Sequence, residues 1–323
     1  MTEKQTQREQ NPFPFSDTNK RYYTYDYYLR HAFGGKVAKL TLDGGFTCPN
    51  RDGRCGTGGC IYCAGNGSGH FTASGALTVS EQYQTQRAMM QKKWQIDGCI
   101  PYFQAYTNTY APLAKLKALF EEALSFPDAV GLNIATRADC LPDDVLAYLA
   151  TLSERTVLTL ELGLQTVHDA TAEHINRGHT FADFLSTYQR IRESAPGIRI
   201  GVHLILGLPG ETGEMMLETV RRVAALLPDE IKLHLLYVTS DAPLSEAYLS
   251  GEYTPLEREA YIELVVRALE MIPPHIVIGR LTGDAPRATL LAPEWSTKKL
   301  TVLNDIDKRL FRENTWQGKY YKI

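Results

Sequence analysis

No stretch of this 323-residue sequence approaches the about 18 consecutive apolar residues that a membrane-crossing helix requires. The first residues also lack the charged-then-apolar pattern of a secretory signal, so the cytoplasm is the expected compartment and a disulfide framework has no support. Charge is nearly balanced, with a formal net of −3, which excludes a globally basic nucleic-acid binder but not a local basic patch. There is no G-x-x-x-x-G-K-[ST] phosphate loop, no internal repeat, no low-complexity segment and no second C-x-x-C knuckle. What remains is a chain with 44% hydrophobic residues, ample for one large domain or two small ones.

Cysteine is scarce and concentrated. Four of the six cysteines fall within the sixteen residues from Cys48 to Cys63, interleaved with glycines that let the backbone turn tightly. The loop follows the apolar run 37–42 and precedes a helical pattern from Thr78, the place past a strand's carboxyl end where βα enzymes build their sites. Zinc is one reading, with Cys60 and Cys63 as half of a tetrahedron and Cys48, Cys55 or His70 completing it. The missing second knuckle weighs against a zinc ribbon, and thioredoxin-like chemistry leaves the other loop features unexplained. An iron–sulfur cluster held by thiolates is the reading favoured, with zinc still open.

Apolar strand-length runs occur at 37–42, 100–107, 129–136, 156–164, 198–206 and 231–238. Helical patterns separate them at 78–95, 111–125, 142–153, 169–194 (broken near Gly178) and 212–227. This alternation predicts six parallel βα units, as a partial barrel or a doubly wound sheet. Within the strands one phase is apolar and the other polar. Leu158, Leu160, Leu162 and Leu164 oppose Thr159, Glu161 and Gln165, and the apolar residues of 198–206 oppose Arg199 and His203. Lys232 and His234 share a phase, as do Asn133 and Arg137, and Tyr102, Gln104, Tyr106 and Asn108. Side chains alternate along a strand, so several strands would direct polar groups to one side and form a polar lumen. Each residue alone has a plainer reading: a lone histidine is usually a satisfied core group, and Glu161 could pair structurally with Arg137 or Lys232.

Outside those units, residues 1–18 are polar and without periodicity and read as a disordered lead. Five tyrosines in 22–28 are expected to pack, with base stacking as the alternative. A helix over 256–272 and a strand over 276–281 follow the barrel pattern. Seven Lys or Arg stand against three acidic residues in 295–323, either a solvated face or a phosphate-facing patch.

Cys60-Ile61-Tyr62-Cys63 resembles the end of the radical S-adenosylmethionine (SAM) cluster motif, in which an aromatic residue precedes the last cysteine. Cys48 lies twelve positions before Cys60, giving C-x11-C-x2-C; this spacing, with Cys-Pro-Asn-Arg-Asp-Gly and Gly-Thr-Gly-Gly-Cys, is similar to a bacterial branch related to the elongator catalytic subunit. The resemblance implies that Cys48, Cys60 and Cys63 ligate a [4Fe-4S] cluster, leaving one iron for SAM and Cys55 surplus. It places Tyr62 among the SAM contacts. Gly207-Leu-Pro-Gly210-Glu-Thr resembles the turn after strand five that lies along the adenine in such enzymes. Gly163-Leu-Gln165-Thr, with Asn176-Arg177-Gly178, looks like a segment of oxygen-independent coproporphyrinogen oxidases, implying a ribose contact for Gln165 and a SAM carboxylate contact for Arg177. Two features depart from those relatives. His203 stands where they carry Asp, and the Gly-Gly-Glu usual after strand two is absent, leaving Gln104, Tyr106 or Asn108 for the SAM amino group.

The resemblance implies a six-unit partial (β/α) barrel over 19–240 with a C-terminal α/β extension over 241–323. It implies an enzyme that cleaves SAM reductively and abstracts hydrogen, with electrons from a flavodoxin or ferredoxin. Relatives in this branch act on the wobble uridine of tRNA, converting 5-carboxymethylaminomethyluridine to 5-aminomethyluridine. Glu161, Arg137, His234 and Lys232 are the lumen candidates for substrate. The rival readings are a zinc-stabilised or non-catalytic RNA-binding module, and a radical-SAM enzyme acting on a small carboxylate or peptide.

Overall fold

The structure is a computed structural model describing residues 11–65, 67 and 75–321. His70, named above as a possible zinc ligand, lies outside the described residues, as does 1–10 of the expected N-terminal lead. Residues 11–18 are packed instead of loose: Asn11 Nδ2 donates to the Lys20 carbonyl at 2.9 Å, Phe13 is buried, and Phe15 stacks on Tyr23 at 4.9 Å between centroids.

The elements run α1 (Tyr25–Phe33), β1 (Val37–Leu42), α2 (Val79–Gln91), β2 (Gly98–Phe103), α3 (Leu113–Leu124), β3 (Gly131–Arg137), α4 (Asp143–Ser153) and β4 (Val157–Gln165). They continue through α5 (Asp169–His174), α6 (Phe181–Ser194), β5 (Arg199–Leu206), α7 (Gly213–Ala224), β6 (Glu230–Leu235), β7 (Val238–Thr239) and α8 (Leu244–Leu249). The chain closes with α9 (Arg258–Met271), β8 (Val277–Arg280), β9 (Leu290–Ala292) and α10 (Lys299–Arg312). Among the described residues, no helix is long and apolar enough to cross a membrane.

Strand order decides what periodicity left open. The seven-stranded sheet reads β1-β2-β3-β4-β5-β6-β8, strictly in chain order. A doubly wound sheet needs a reversal of order at its switch point, and none occurs here; sequential order is barrel logic. The pairings β1–β2, β2–β3, β3–β4 and β6–β8 are parallel. The alternating pattern holds: Leu160, Leu162, Leu164, Ile200, Val202 and Leu204 are fully buried, whereas Lys39, Gly163, Gln165, His203 and His234 are only partly so.

Local chemistry starts the helices that follow the site loops. Thr78 and Glu81 form a reciprocal capping box ahead of α2, Thr180 and Asp183 do so ahead of α6, and the Thr212 hydroxyl accepts from the Met215 amide ahead of α7. The expected helix 169–194 is two helices because Asn176 (φ 53°) and Gly178 (φ 80°) adopt left-handed backbone between them.

By packing the chain divides into two compact units, cutting across the expected boundary at 240. One comprises residues 29–164 and 176–201 and carries the cysteine loop. The other comprises, among the described residues, 11–28, 165–175 and 202–321. In this second unit Val302, Ile306 and Leu310 form the buried stripe of α10, and Arg21 caps the end of that helix through the Leu310 carbonyl (3.3 Å) and Asn314 Oδ1 (3.1 Å). Tyr23 reaches β8 by main chain, its carbonyl accepting from the Ile278 amide at 2.8 Å. The cations of the basic tail have carboxylate neighbours: Lys299 with Asp284, Lys308 with Asp305, Arg309 with Glu263 and Glu313, and Arg312 with Glu313.

Candidate active site

The cysteine loop leaves β1 and folds by its own main chain. The Arg51 and Asp52 amides donate to the Cys48 carbonyl (2.8 and 3.2 Å), Cys55 N to Pro49 O (2.8 Å), Gly59 N to Asn50 O (2.8 Å) and Cys63 N to Cys60 O (2.9 Å). These turns leave Cys48, Cys60 and Cys63 half-buried and Cys55 exposed. Burial raises the Cys60 thiol, and raises Cys63 to about 11, with the charges of Cys60 and Cys48 adding to it. The three thiols are therefore within electrostatic reach of one another, and Cys55 is not among the groups acting on Cys60 or Cys63. Among the described residues, no three His, Cys, Asp or Glu side chains converge tightly enough to hold a single metal ion. A [4Fe-4S] cluster takes its thiolates on separate irons, and three half-buried thiols leave one iron open. The donor set fits the cluster. The Tyr62 hydroxyl is raised far above its ordinary value, first by burial and then by the neighbouring Cys60.

Two residues beside Cys48 fasten the loop. Arg51 donates to the carbonyls of Cys63 (2.9 Å), Ala64 (2.5 Å) and Gly65 (3.2 Å), and its guanidinium lies 5.6 Å over the Tyr106 ring. Tyr106 returns a hydroxyl bond to Gly65 O at 2.6 Å and holds φ 60°, a strained backbone for an aromatic residue. Asn50 is fully buried, donating to the Asn176 carbonyl and approaching Cys60 Sγ at 3.8 Å. Asn176 Nδ2 reciprocates to the carbonyls of Thr57 (3.3 Å) and Gly59 (2.7 Å).

The neighbouring Arg177 is 1% exposed, and its guanidinium donates to main-chain carbonyls of Leu164 (2.5 Å) and His179 (2.9 and 2.7 Å). These bonds hold the segment onto the end of β4. Arg137 forks onto Asp139 at 2.9 and 2.7 Å and donates to the Arg177 carbonyl at 2.7 Å. Burial alone would lower Arg137, and the Asp139 fork overrides it. Buried His179 sits 3.8 Å from Asp139 with its pKa pushed down to about 4, first by burial and then by Arg177 and Arg137.

Glu161 is completely buried on β4. It accepts from Lys39 Nζ at 3.0 Å and Asn133 Nδ2 at 2.8 Å, with the Lys39 ammonium also 4.6 Å over the Tyr102 ring. The register places Ala135 beside Glu161, so Asn133 reaches diagonally from β3. The expected polar face Tyr102–Asn108 is not one strand face. β2 ends at Phe103, Tyr106 turns left-handed, and Asn108 is buried with its amide on Ala135 O at 2.8 Å.

In the second unit, Gln165 ends β4 in left-handed backbone at φ 65°. The rings of His203 and His234 lie 5.0 Å apart at 40°, on β5 and β6, and buried Lys232 stands 3.7 Å from Glu230. Gly207 (φ 97°) and Gly210 (φ 79°) make the turn into α7, where only glycine is unstrained. With Leu208, Glu211, Tyr253 and Leu256 they line a pocket of about 180 Å³, and Tyr253 Oη donates to Gly207 O at 2.8 Å.

Lys39, Asn50, Arg51 and Asn176 were missed as functional candidates. Lys39 was detectable, because β1 shows the same alternation that exposed Glu161. Asn50 and Arg51 lie inside the Cys-Pro-Asn-Arg-Asp-Gly motif, but nothing in their spacing tells which carbonyls they reach.

The family model described as radical SAM superfamily matches residues 51–223, and one described as a radical SAM C-terminal domain matches 228–312. The chain is 46% identical to an uncharacterized protein, YtqA, of Bacillus subtilis over 97% of each chain. It is 29% identical over half its length to a tRNA uridine(34) acetyltransferase of Methanocaldococcus jannaschii, spanning 30% of that protein. An Elp3 structure from Methanocaldococcus infernus superposes with a TM-score of 0.66 at 18% identity, covering 87% of this chain and 64% of that one, and so shares the fold. The chain belongs to the radical SAM superfamily, whose enzymes use a [4Fe-4S] cluster and SAM.

Proposed function

We propose that this chain is a radical-SAM enzyme acting on the wobble uridine of tRNA, removing the carboxymethyl part of 5-carboxymethylaminomethyluridine to leave 5-aminomethyluridine. The observation that carries the reading is the C-x11-C-x2-C loop. Its three thiols are half-buried within mutual electrostatic reach, on a chain half of which is similar to a tRNA uridine(34) acetyltransferase. When bound, the cluster and SAM supply a 5′-deoxyadenosyl radical by one-electron cleavage, able to take hydrogen from an unactivated carbon.

The chain's own residues bind, orient and exclude water. Cys48, Cys60 and Cys63 would hold the cluster, with Tyr62, Gln165, Arg177 and the Gly207–Gly210 turn on the SAM side. Because Arg177 holds two main-chain carbonyls, its part is to shape that segment. The CH2 flanked by carboxylate and nitrogen is the chemically sensible position for abstraction. Arg137 is forked onto Asp139, and Lys232 with the His203–His234 pair offers further groups for a substrate carboxylate. An electron donor such as flavodoxin or ferredoxin, and the cytoplasm as compartment, complete the reading.

A small carboxylate or peptide substrate is favoured by one observation: the tail cations expected to meet phosphate largely have carboxylate partners. Mass spectrometry of nucleosides from tRNA of a strain lacking this chain tests the choice. Carboxymethylaminomethyluridine should accumulate at the expense of its aminomethyl products, and an unchanged profile rejects the tRNA reading.

A further inference from the structure

The C-x-x-C pair of the loop is served by two adjacent side chains. Asn50 Nδ2 lies 3.8 Å from Cys60 Sγ, and the Arg51 guanidinium is held against Cys63 through the carbonyls of Cys63, Ala64 and Gly65.

The orientation of the Asn50 amide is fixed. Its nitrogen must face the Asn176 carbonyl, because the reverse would set two carbonyl oxygens together. The oxygen therefore points away and, among the described residues, has no hydrogen-bond partner. It fits only because positions 56 and 178 are glycines: a Cβ on Gly56 would collide with Asn50 Oδ1, and one on Gly178 would come within 3.1 Å. A buried acceptor left unpaired costs about 1–3 kcal/mol, so packing alone does not select asparagine here. What the amide provides is a donor aimed at a sulfur.

We infer that the dipeptide Asn50-Arg51 sets the reduction potential of the cluster, Asn50 by donating an N–H to the Cys60 sulfur and Arg51 as a cation fixed on the main chain of Cys63 and Ala64. The inference rests on the cluster reading above. Reduction adds negative charge that spreads onto the sulfurs, so N–H donors and a fixed cation favour the reduced form and raise the potential. The asparagine and the arginine are positioning residues: they act through the ligand thiolates.

The test is an anaerobic redox titration of the reconstituted full chain without SAM or substrate, read by the spectrum of the reduced cluster. Iron and sulfide content of the unaltered chain is measured first. No cluster there overturns the cluster reading itself, separately from this inference. With the cluster present, Asn50→Ala and Arg51→Gln should each lower the reduced-to-oxidised ratio at fixed potential about tenfold, or ~59 mV for one electron. Asn176→Gly, which removes the bonds to Thr57 and Gly59 but leaves the Asn50 donor and the Arg51 cation, should keep the original potential. Unchanged potentials in Asn50→Ala and Arg51→Gln overturn the inference. If Asn50→Ala fails to retain the cluster, Arg51→Gln decides, and loss of the cluster in both with the fold intact assigns the pair a structural role and overturns it equally.

Discussion

Two groups of cysteines in the same unit are treated in opposite ways. Cys99 opens β2 fully buried beside Leu40, Tyr83 and Ala38, its thiol pushed up to about 11 by burial and set against Asp128 at 3.6 Å. There cysteine behaves as a small apolar filler. Cys48, Cys60 and Cys63 lie in the loop past the carboxyl end of β1, half-buried on a backbone fastened by Asn50, Arg51 and Asn176. High pKa alone does not separate the groups, since Cys63 is also pushed to about 11. The difference is that the loop thiols have one another within reach, so a cluster can replace their protons. One end of the strands is built for packing and the other for ligation.

The largest expected effect divides those cysteines. Cys48→Ala, Cys60→Ala and Cys63→Ala should each abolish iron binding after anaerobic reconstitution, while Cys55→Ala, Cys99→Ala and Cys140→Ala keep full iron content. Loss of iron in Cys55→Ala with retention in Cys48→Ala would make Cys55 the first ligand.

Next comes the buried ion pair. Lys39→Met removes the ammonium 3.0 Å from the fully buried Glu161 and should cost about 3–5 kcal/mol in denaturant unfolding. The double variant Lys39→Met/Glu161→Leu should recover most of the loss, and equal stabilities for Lys39→Met and the unaltered chain would show that water reaches the pair.

A smaller effect depends on pH. His179 has its folded pKa depressed to about 4 from an ordinary 6.5, so the folded state resists its protonation. Its contribution is present above about pH 6.5 and is lost as pH falls from there through 4, up to about 3 kcal/mol. His179→Leu should flatten that part of the stability profile. The same slope in the variant would place the titration elsewhere. Least of all, Cys99→Ala should lower stability by about 1 kcal/mol without changing iron content.

The strand–helix alternation and the polar phase of the strands were legible because they depend on local period, and burial follows that period at Leu160, Leu162 and Ile200. The choice between barrel and doubly wound sheet was not, since strand order is a long-range property. Lys39 escaped notice for the same reason: phase told that Glu161 faces inward, but not that β1 brings Lys39 within 3.0 Å of it. Tyr106 broke the expected face of β2 because a single left-handed residue reverses alternation, and an aromatic gives no warning of positive φ. The cysteine ligand set was legible as spacing, whereas the side chains that hold it act on carbonyls up to 126 residues away.

The central claim is that this loop carries an iron–sulfur cluster that cleaves SAM, and anaerobic reconstitution with iron and sulfide tests it most directly. The account predicts a brown protein with about four irons per chain whose visible absorbance bleaches with dithionite and which then forms 5′-deoxyadenosine from added SAM. A colourless protein retaining one zinc, or a bleachable cluster that forms no 5′-deoxyadenosine above background, would contradict it.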